Sequence, residues 1–459
     1  MDRTKQLGEE KILKLLMTFS IPAIVGMLVN ALYNVVDRIF IGNSPDIGKM
    51  GIGGITIAFP MMLIMMALAM LVGIGGASMA AIRLGEQKGE EAEKYMGNAI
   101  VLLIGISVFS TVVGLIFLEP ILEFFGANAN LLPYAKNYMQ IILLGSIFGG
   151  VSFGLNNFIR VDGSPRIAMV TMLIGALINM ALDPLFIFVF RWGIRGAAFA
   201  TIISQAITAV WVIWYFLSNK SHLKIRIPNL TLDPLIVRSI IAIGLPPFMM
   251  QMANSLLNII LNNSLMNYGG DLAVAGIGII NSIVLLLLMP VIGISQGAQP
   301  IIGYNYGAKN YERVTETLKL AIIGATGIVL IGYLGIRLFP EELIGLFNKD
   351  PELLRFGSRA LSIFLMFLPI IGFQIIGANY FQAVGKMKPA LILTLSRQVL
   401  ILIPAIIILP RFFGLDGILY AAPVADLSSA ILTGTWLFFE LRHLRDKADH
   451  YVIIDEEVA

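Results

Sequence analysis

The sequence predicts an all-α membrane protein with 12 transmembrane helices in two parallel-repeat six-helix bundles. Three observations carry that prediction: the composition, the spacing of the apolar runs, and a set of motifs that recurs in order in both halves. Hydrophobic residues make up 57% and charged residues 13% of the 459 positions, where soluble domains carry about 45–50% and about 25%. Apolar runs of about 20 residues recur along almost the whole chain, each long enough to cross about 30 Å of hydrocarbon. The net charge of +3 is small, and the basic residues sit in short loops, so no nucleic-acid-binding stripe is expected. The absence of cysteine excludes disulfides and thiolate metal sites.

Taken in order, the runs predict spans at 15–41, 52–76, 95–118, 135–159, 167–190 and 195–217, then at 237–264, 273–300, 318–339, 356–383, 389–409 and 415–441. The first run follows Lys5, Glu9, Glu10, Lys11 and Lys14 and is too long for a signal-peptide core, so it is expected to stay as the first span. An even number of spans puts both termini on one side. Loops and termini on that side carry 21 Lys and Arg residues against 9 on the other, which predicts cytoplasmic termini and the inner membrane of a prokaryote. The longest interspan stretch, 218–236, lies at the midpoint and links an N-terminal lobe (1–217) to a C-terminal lobe (237–441), followed by a charged tail (442–459). His222, His443 and His450 all fall in polar stretches, so no intramembrane histidine site is expected.

The halves repeat. Ser20 and Pro22 correspond to Gly244 and Pro246, and Asn30, Leu32 and Asn34 to Asn254, Leu256 and Asn258. Gly73 corresponds to Gly293, Gly85 to Gly307, Asn156 to Asn379 and Phe158 to Phe381. Gly193-Ile194-Arg195-Gly196 matches Gly414-Leu415-Asp416-Gly417. Chance similarity between apolar segments produces scattered Leu and Ile matches, not Gly, Pro and Asn recurring in order at offsets of 220–224. Six spans per repeat keep both halves in the same orientation, with a site expected between the lobes.

Ionisable groups within the hydrocarbon are expensive and mark function by default. Asp37, Asp183, Arg397 and Asp426 stand out, with Arg38 near enough to a span end to snorkel. At 1.5 Å per residue, Asp37 lies roughly 6 Å and Asp183 roughly 10 Å in from the outer ends of their spans, and Thr201 roughly 9 Å below the start of span six. Asn179 shares the face of Asp183 one turn deeper, and Pro184 leaves the carbonyl of Met180 without its helical donor. Two carboxylates, an amide and a hydroxyl can therefore gather in the outer half of the N-terminal lobe. Such oxygens suit Na+, and a desolvated carboxylate beside another also suits proton uptake. A structural hydrogen-bond cluster joining three helices is the plainer alternative. Arg397 and Asp426 fall at nearly the same level and are expected to form a structural ion pair.

At this point the chain resembles the multidrug and toxic compound extrusion (MATE) family, and within it the branch of MepA-type exporters. The residues that carry the resemblance are Pro22, Tyr33-Asn34-Val35-Val36-Asp37 and Phe40-Ile41-Gly42 on span one. Arg160, Gly163 and Pro165 follow, then Asn179 with Leu182-Asp183-Pro184, and Gly193 to Ala198 running into Thr201. It covers essentially the whole chain. The resemblance implies a V-shaped pair of bundles, alternating access, no enzymatic activity, no cofactor and a coupling ion, Na+ or H+, at Asp37, Asn179, Asp183 and Thr201. If the ion is Na+, its ligands are expected at Asp37, Asn179 and Asp183. One departure matters: some members of another branch carry acids on spans seven and ten, where this chain has Asn254 and, nearby, Gln374. Coupling is therefore assigned to the N-terminal lobe.

Met61, Met62, Met65, Met66 and Met70 on span two and Met249, Met250 and Met252 on span seven are flexible and polarizable, as promiscuous binding requires, although packing or lipid contact is the plainer role for any one of them. The spans also hold more amides than lipid contact favours. Asn30, Asn34, Asn156, Asn157, Gln251, Asn254, Asn258 and Gln296, with Tyr33 and Met250, are the candidate lining of a substrate cleft, and Asn281 and Gln299 add to the amides. The expected function is secondary active export of drugs or organic cations by a functional monomer embedded in lipid. The alternative is a flippase or exporter of lipid-linked saccharides or metabolites, which needs a strongly cationic cavity. The lack of intramembrane His, of Cys and of a His-Glu-x-x-His motif argues against a membrane-embedded enzyme.

Overall fold

The computed structural model describes residues 3–42, 44 and 48–458, and among them every regular element is a helix. The N-terminal half runs α1 (Arg3–Glu9), α2 (Ile12–Gly42), α3 (Gly48–Gly85), α4 (Gly89–Ile116), α5 (Leu118–Phe124), α6 (Leu132–Leu144), α7 (Ser146–Val161), α8 (Pro165–Pro184) and α9 (Gly193–Leu217). After a short linker come α10 (Pro234–Gly307), α11 (Tyr311–Leu338), α12 (Pro340–Gly345), α13 (Pro351–Phe364), α14 (Leu368–Ala383), α15 (Met387–Leu395), α16 (Ile403–Ile408), α17 (Pro410–Phe413) and α18 (Leu415–Val458).

Nine of the described helices are long and apolar enough to cross a membrane, and two bent pairs bring the number to 11. The 74-residue α10 supplies the twelfth crossing. As one rod it would be about 110 Å long at 1.5 Å per residue; Gly270 breaks it with φ 62° and ψ −160°, a conformation that glycine adopts without steric penalty. Exposed Ile104, Val108, Val112 and Phe109 on α4 recur at helical spacing, a face suited to acyl chains rather than water.

Spans four and ten, expected at 135–159 and 356–383, are each broken by a sharp bend. α6 and α7 meet at a 56° bend at Gly145, and α13 and α14 at a 48° bend. Pro369, at the start of α14, cannot donate to the preceding turn, which accounts for the second break. Two further irregularities are π-turns, at Leu185–Val189 directly after Pro184 and at Ser396–Leu402 just before Pro404.

The chain divides into two compact units, Met1–Glu9 with Val25–Phe248 and Glu10–Ile24 with Met249–Ala459. The first turns of α2 thus belong to the second unit, and the first turns of α10 to the first. Glycines make both arrangements possible. In the first unit, a Cβ on Gly75 of α3 would lie 2.1 Å from the Ile240 carbonyl oxygen, and one on Gly244 only 1.7 Å from that of Leu71. In the second unit, Cβ atoms on Gly293 and Gly297 would lie 2.8 Å from Ile24 N and 2.7 Å from Ser20 N. Ser20 and Gly244 are repeat equivalents, so one backbone-to-backbone crossing is built twice.

The linker is fastened to the first unit by three side chains. Asp162, fully buried at the end of α7, accepts from Tyr215 Oη (2.5 Å), Ser221 Oγ (3.0 Å), His222 N (3.0 Å) and Leu223 N (2.8 Å). Burial raises its pKa, against the pull of these donors. Glu93 accepts from Lys224 N (3.1 Å) and pairs with Arg226 (2.7 Å), and Asn98 Oδ1 accepts from Asp233 N (2.8 Å). In the second unit Arg313 donates to the Glu10 carbonyl (2.7 Å), and Glu440 accepts from Lys386 (2.6 Å) and Tyr380 (3.2 Å).

Candidate functional site

In the first unit the structure brings Asp37 of α2 against Asp183 of α8, close enough for the two carboxyls to interact directly. Phe40 of α2 meets Phe188 of the π-turn edge to face at 6.2 Å, which holds the two elements together just beyond the acids. Asp183 is 0% and Asn179 2% exposed. Neither oxygen of Asp183 and neither amide atom of Asn179 has a conventional hydrogen-bond partner in the protein. Thr201 of α9 donates to the Ala197 carbonyl at 3.0 Å, which leaves its hydroxyl oxygen able to accept or coordinate.

Four orphaned polar atoms on one turn of α8, beside a second carboxylate, are a costly arrangement. Each buried unsatisfied group costs about 1–3 kcal/mol, and more when charged. A small cation or proton relieves this cost, because it cancels the repulsion between the acids and satisfies the free oxygens. The residues present therefore fit a hard monovalent cation, with carboxylate, amide and hydroxyl oxygens as donors. Among the described residues there is no group of three or more His, Cys, Asp or Glu that could hold a metal ion.

Sequence reasoning did not single out Tyr138. It lies on α6, 2% exposed, with its hydroxyl bonded to Thr201 and electrostatically linked to Asp37, Tyr33 and Asp183. One tyrosine in an apolar span gives no signal of its own; only the packing of α6 on α9 places it at the acids. The π-turn was equally hidden. Phe190 N reaches back five residues to the Leu185 carbonyl (2.9 Å), the wide turn that follows Pro184.

The candidate cleft residues separate by unit. In the first, Asn30 is exposed, Tyr33 half-buried, and the Asn34 and Arg38 side chains lie outside the described residues. Asn156 is buried with Oδ1 unpartnered, while Asn157 donates to the Phe153 carbonyl (3.1 Å) and accepts from Arg160 (3.1 Å). In the second, an amide chain runs from Gln398 Nε2 to Asn254 Oδ1 (2.5 Å) and from Asn254 Nδ2 to Gln251 Oε1 (3.2 Å). Asn258 is exposed and donates to the Asn254 carbonyl (2.9 Å), Met250 is exposed, and Gln296 is half-buried with Oε1 unpartnered.

Arg397 Nε lies 2.6 Å from Asp426 Oδ1, and Asp426 is 1% exposed. Arg397 and Gln398 both sit in the π-turn of the second unit, which turns the first toward α18 and the second toward α10. Asp426 Oδ2 and Gln398 Oε1 remain unpartnered. Each half of the repeat therefore places a π-turn beside its intramembrane charge.

Comparison with known proteins gives a consistent result. The MatE family model matches residues 22–185 and again 246–408, one match in each half. The multidrug export protein MepA of Staphylococcus haemolyticus is 28% identical over 435 residues, 95% of either chain. MepA of Staphylococcus aureus is 28% identical over 420 residues, 92% of either chain. Among solved structures, the MATE multidrug transporter DinF-BH is 44% identical with a TM-score of 0.87, covering 94% of this chain and 96% of that one. A MATE crystal structure in the bent conformation is 25% identical with a TM-score of 0.91, covering 98% and 99%.

Proposed function

The chain belongs to the MatE family of membrane transporters, and on that premise we propose that it exports drugs and organic cations in antiport with Na+ or H+. It is a transporter and not an enzyme. The observation that carries the coupling half of the proposal is the contact of half-buried Asp37 with fully buried Asp183, with the unsatisfied amide of Asn179 beside it. Two adjacent carboxylates cannot both stay ionised in a dry site without large repulsion. Entry of Na+ or H+ neutralises the site, α2 and α8 then pack closer, and α2 carries an internal proline, Pro22, at which it can bend. The bend displaces substrate held by aromatic and amide groups such as Tyr33 and Asn157. The ion is itself a transported substrate, since its release on the other side resets the cycle.

The substrate half rests on the named relatives, which are multidrug export proteins, and on the methionines and amides of both units. The organisation that goes with it is an N-terminal lobe of six helices (1–217), a linker (218–236), a C-terminal lobe (237–441) and a tail (442–459), working as a monomer. The excess of Lys and Arg on the side of the termini supports an inner-membrane protein with both ends in the cytoplasm.

Ethidium export from proteoliposomes, with a Na+ or a pH gradient imposed separately, tests the proposal. Export driven by one gradient and abolished in Asp37→Asn is the expected result. Full gradient-driven export by folded Asp37→Asn would sink the coupling assignment. No export under either gradient would turn the reading toward a lipid-linked or metabolite substrate.

A further inference from the structure

Arg160 is a buried cation without a counter-charge among the described residues. It lies in the last turn of α7, 7% exposed, beside the buried core residues Phe158, Ile159 and Val161. Its Nη1 donates to Asn157 Oδ1 at 3.1 Å, and its Nη2 meets only the Met172 sulfur, at 3.8 Å. No carboxylate among the described residues pairs with it. Asp162, two positions on, uses both oxygens on Tyr215, Ser221 and the backbone of His222 and Leu223. Two other cations, by contrast, have a carboxylate partner: Arg397 pairs with Asp426 and Lys386 with Glu440.

The C-terminal dipole of α7 offsets only part of this, because a desolvated ion keeps a large penalty even after relaxation. A thioether sulfur is a weak acceptor, so the guanidinium fork is left short of an anion. Its neighbours pack closely against α2 and α3 of the first unit. Met172 Sδ sits 2.6 Å from where a Cβ on Gly26 of α2 would be, and Asn157 Nδ2 3.2 Å from that on Gly73 of α3. Asn156, one turn earlier on the same face of α7, adds a buried amide with an unpartnered oxygen.

We propose that Arg160, flanked by Asn156 and Asn157, recognises a carboxylate on the transported molecule and so makes the protein favour carboxylate-bearing substrates over their neutralised esters. This rests on the export reading above. The planar guanidinium accepts a carboxylate through two parallel N–H bonds. Met172 is flexible enough to withdraw and gives up only a weak contact as it does so. The positive end of such a substrate remains available to the acidic or amide groups elsewhere in the route.

The test compares norfloxacin, a zwitterion, with its carboxyl methyl ester, which keeps only the positive charge, in equilibrium binding to the purified full-length protein in nanodiscs. Wild type is expected to bind norfloxacin at least tenfold more tightly than the ester. In Arg160→Gln that affinity ratio should fall at least tenfold, and Arg160→Lys should retain part of it. If Arg160→Gln does not fold, benzoate competition on wild type takes its place: benzoate should displace norfloxacin and spare the ester. An unchanged ratio in Arg160→Gln, no preference in wild type, or equal displacement of both compounds overturns the inference. Any of these together with intact ethidium export would leave the export reading standing, whereas loss of all drug binding and export in wild type would remove both.

Discussion

Replacing Gly244 with alanine tests the helix crossing of the first unit. In an ordinary helix this change is favourable, by about 0.8–1 kcal/mol. Here the added Cβ would lie 1.7 Å from the Leu71 carbonyl oxygen, 2.5 Å from its carbonyl carbon and 2.9 Å from its Cα. Ordinary contact starts near 3.4 Å, so α10 and α3 would have to separate by roughly 1.7 Å. The obstructing atoms are backbone, and no side-chain rotation can clear them. Overpacking of this kind costs about 1–3 kcal/mol, occasionally more, and Gly75, which meets the Ile240 carbonyl across the same crossing, would lose its contact as well. The net expectation is a destabilisation of up to about 2 kcal/mol, opposite in sign to the helix propensity. Gly105→Ala serves as the control, since a Cβ there meets nothing within 4 Å. Fluorescence-detected size exclusion after graded heating in detergent would rank the variants. Gly105→Ala should match or exceed wild type, and Gly244→Ala should lose its monodisperse peak at lower temperature. A Gly244→Ala protein as heat-stable as the control would refute the reasoning.

Asp162→Ala removes the acceptor for four donors at the linker. At about 1–3 kcal/mol for each buried group left unsatisfied, trypsin should cut at Lys220 or Lys224 at least tenfold faster; an unchanged rate would mean that Glu93 and Asn98 hold the linker alone. For Arg397 and Asp426, either Arg397→Gln or Asp426→Asn alone should destabilise by about 3–5 kcal/mol. The double variant should recover most of the loss, and simple additivity in the thermal assay would exclude coupling between them. Asp183→Asn imitates the neutralised site, so the variant should bind ethidium more weakly than wild type, and a Na+ or pH jump that displaces ethidium from wild type should change that binding little; wild-type affinity with full displacement would move the coupling group elsewhere.

How far the sequence reached can be seen in particular residues. Hydropathy counted the crossings because a bilayer demands apolar length regardless of what packs beside it. The repeat was legible because Gly, Pro and Asn hold backbone roles that apolar drift does not reproduce; the two family matches, at 22–185 and 246–408, fall one in each half. Depth arithmetic put Asp37, Asn179, Asp183 and Thr201 at comparable levels because helical rise is constant. What the chain alone left open was everything that depends on which helix faces which. The bend between α6 and α7 passed unread, since a glycine in an apolar run is compatible with straight or broken helices. So did the π-turns carrying Arg397 and following Asp183, because one extra residue per turn leaves no compositional trace. Tyr138 became a site residue only through the packing of α6 on α9. Asp162 carries no signal in the sequence; its role comes from partners 50 residues and more away, at the end of α9 and in the linker, that close over it. The division at Ile24 and Val25, and again at Phe248 and Met249, falls inside continuous helices. Local propensity reports no boundary there, and only the close backbone approach at Gly75, Gly244, Gly293 and Gly297 decides which unit each first turn joins.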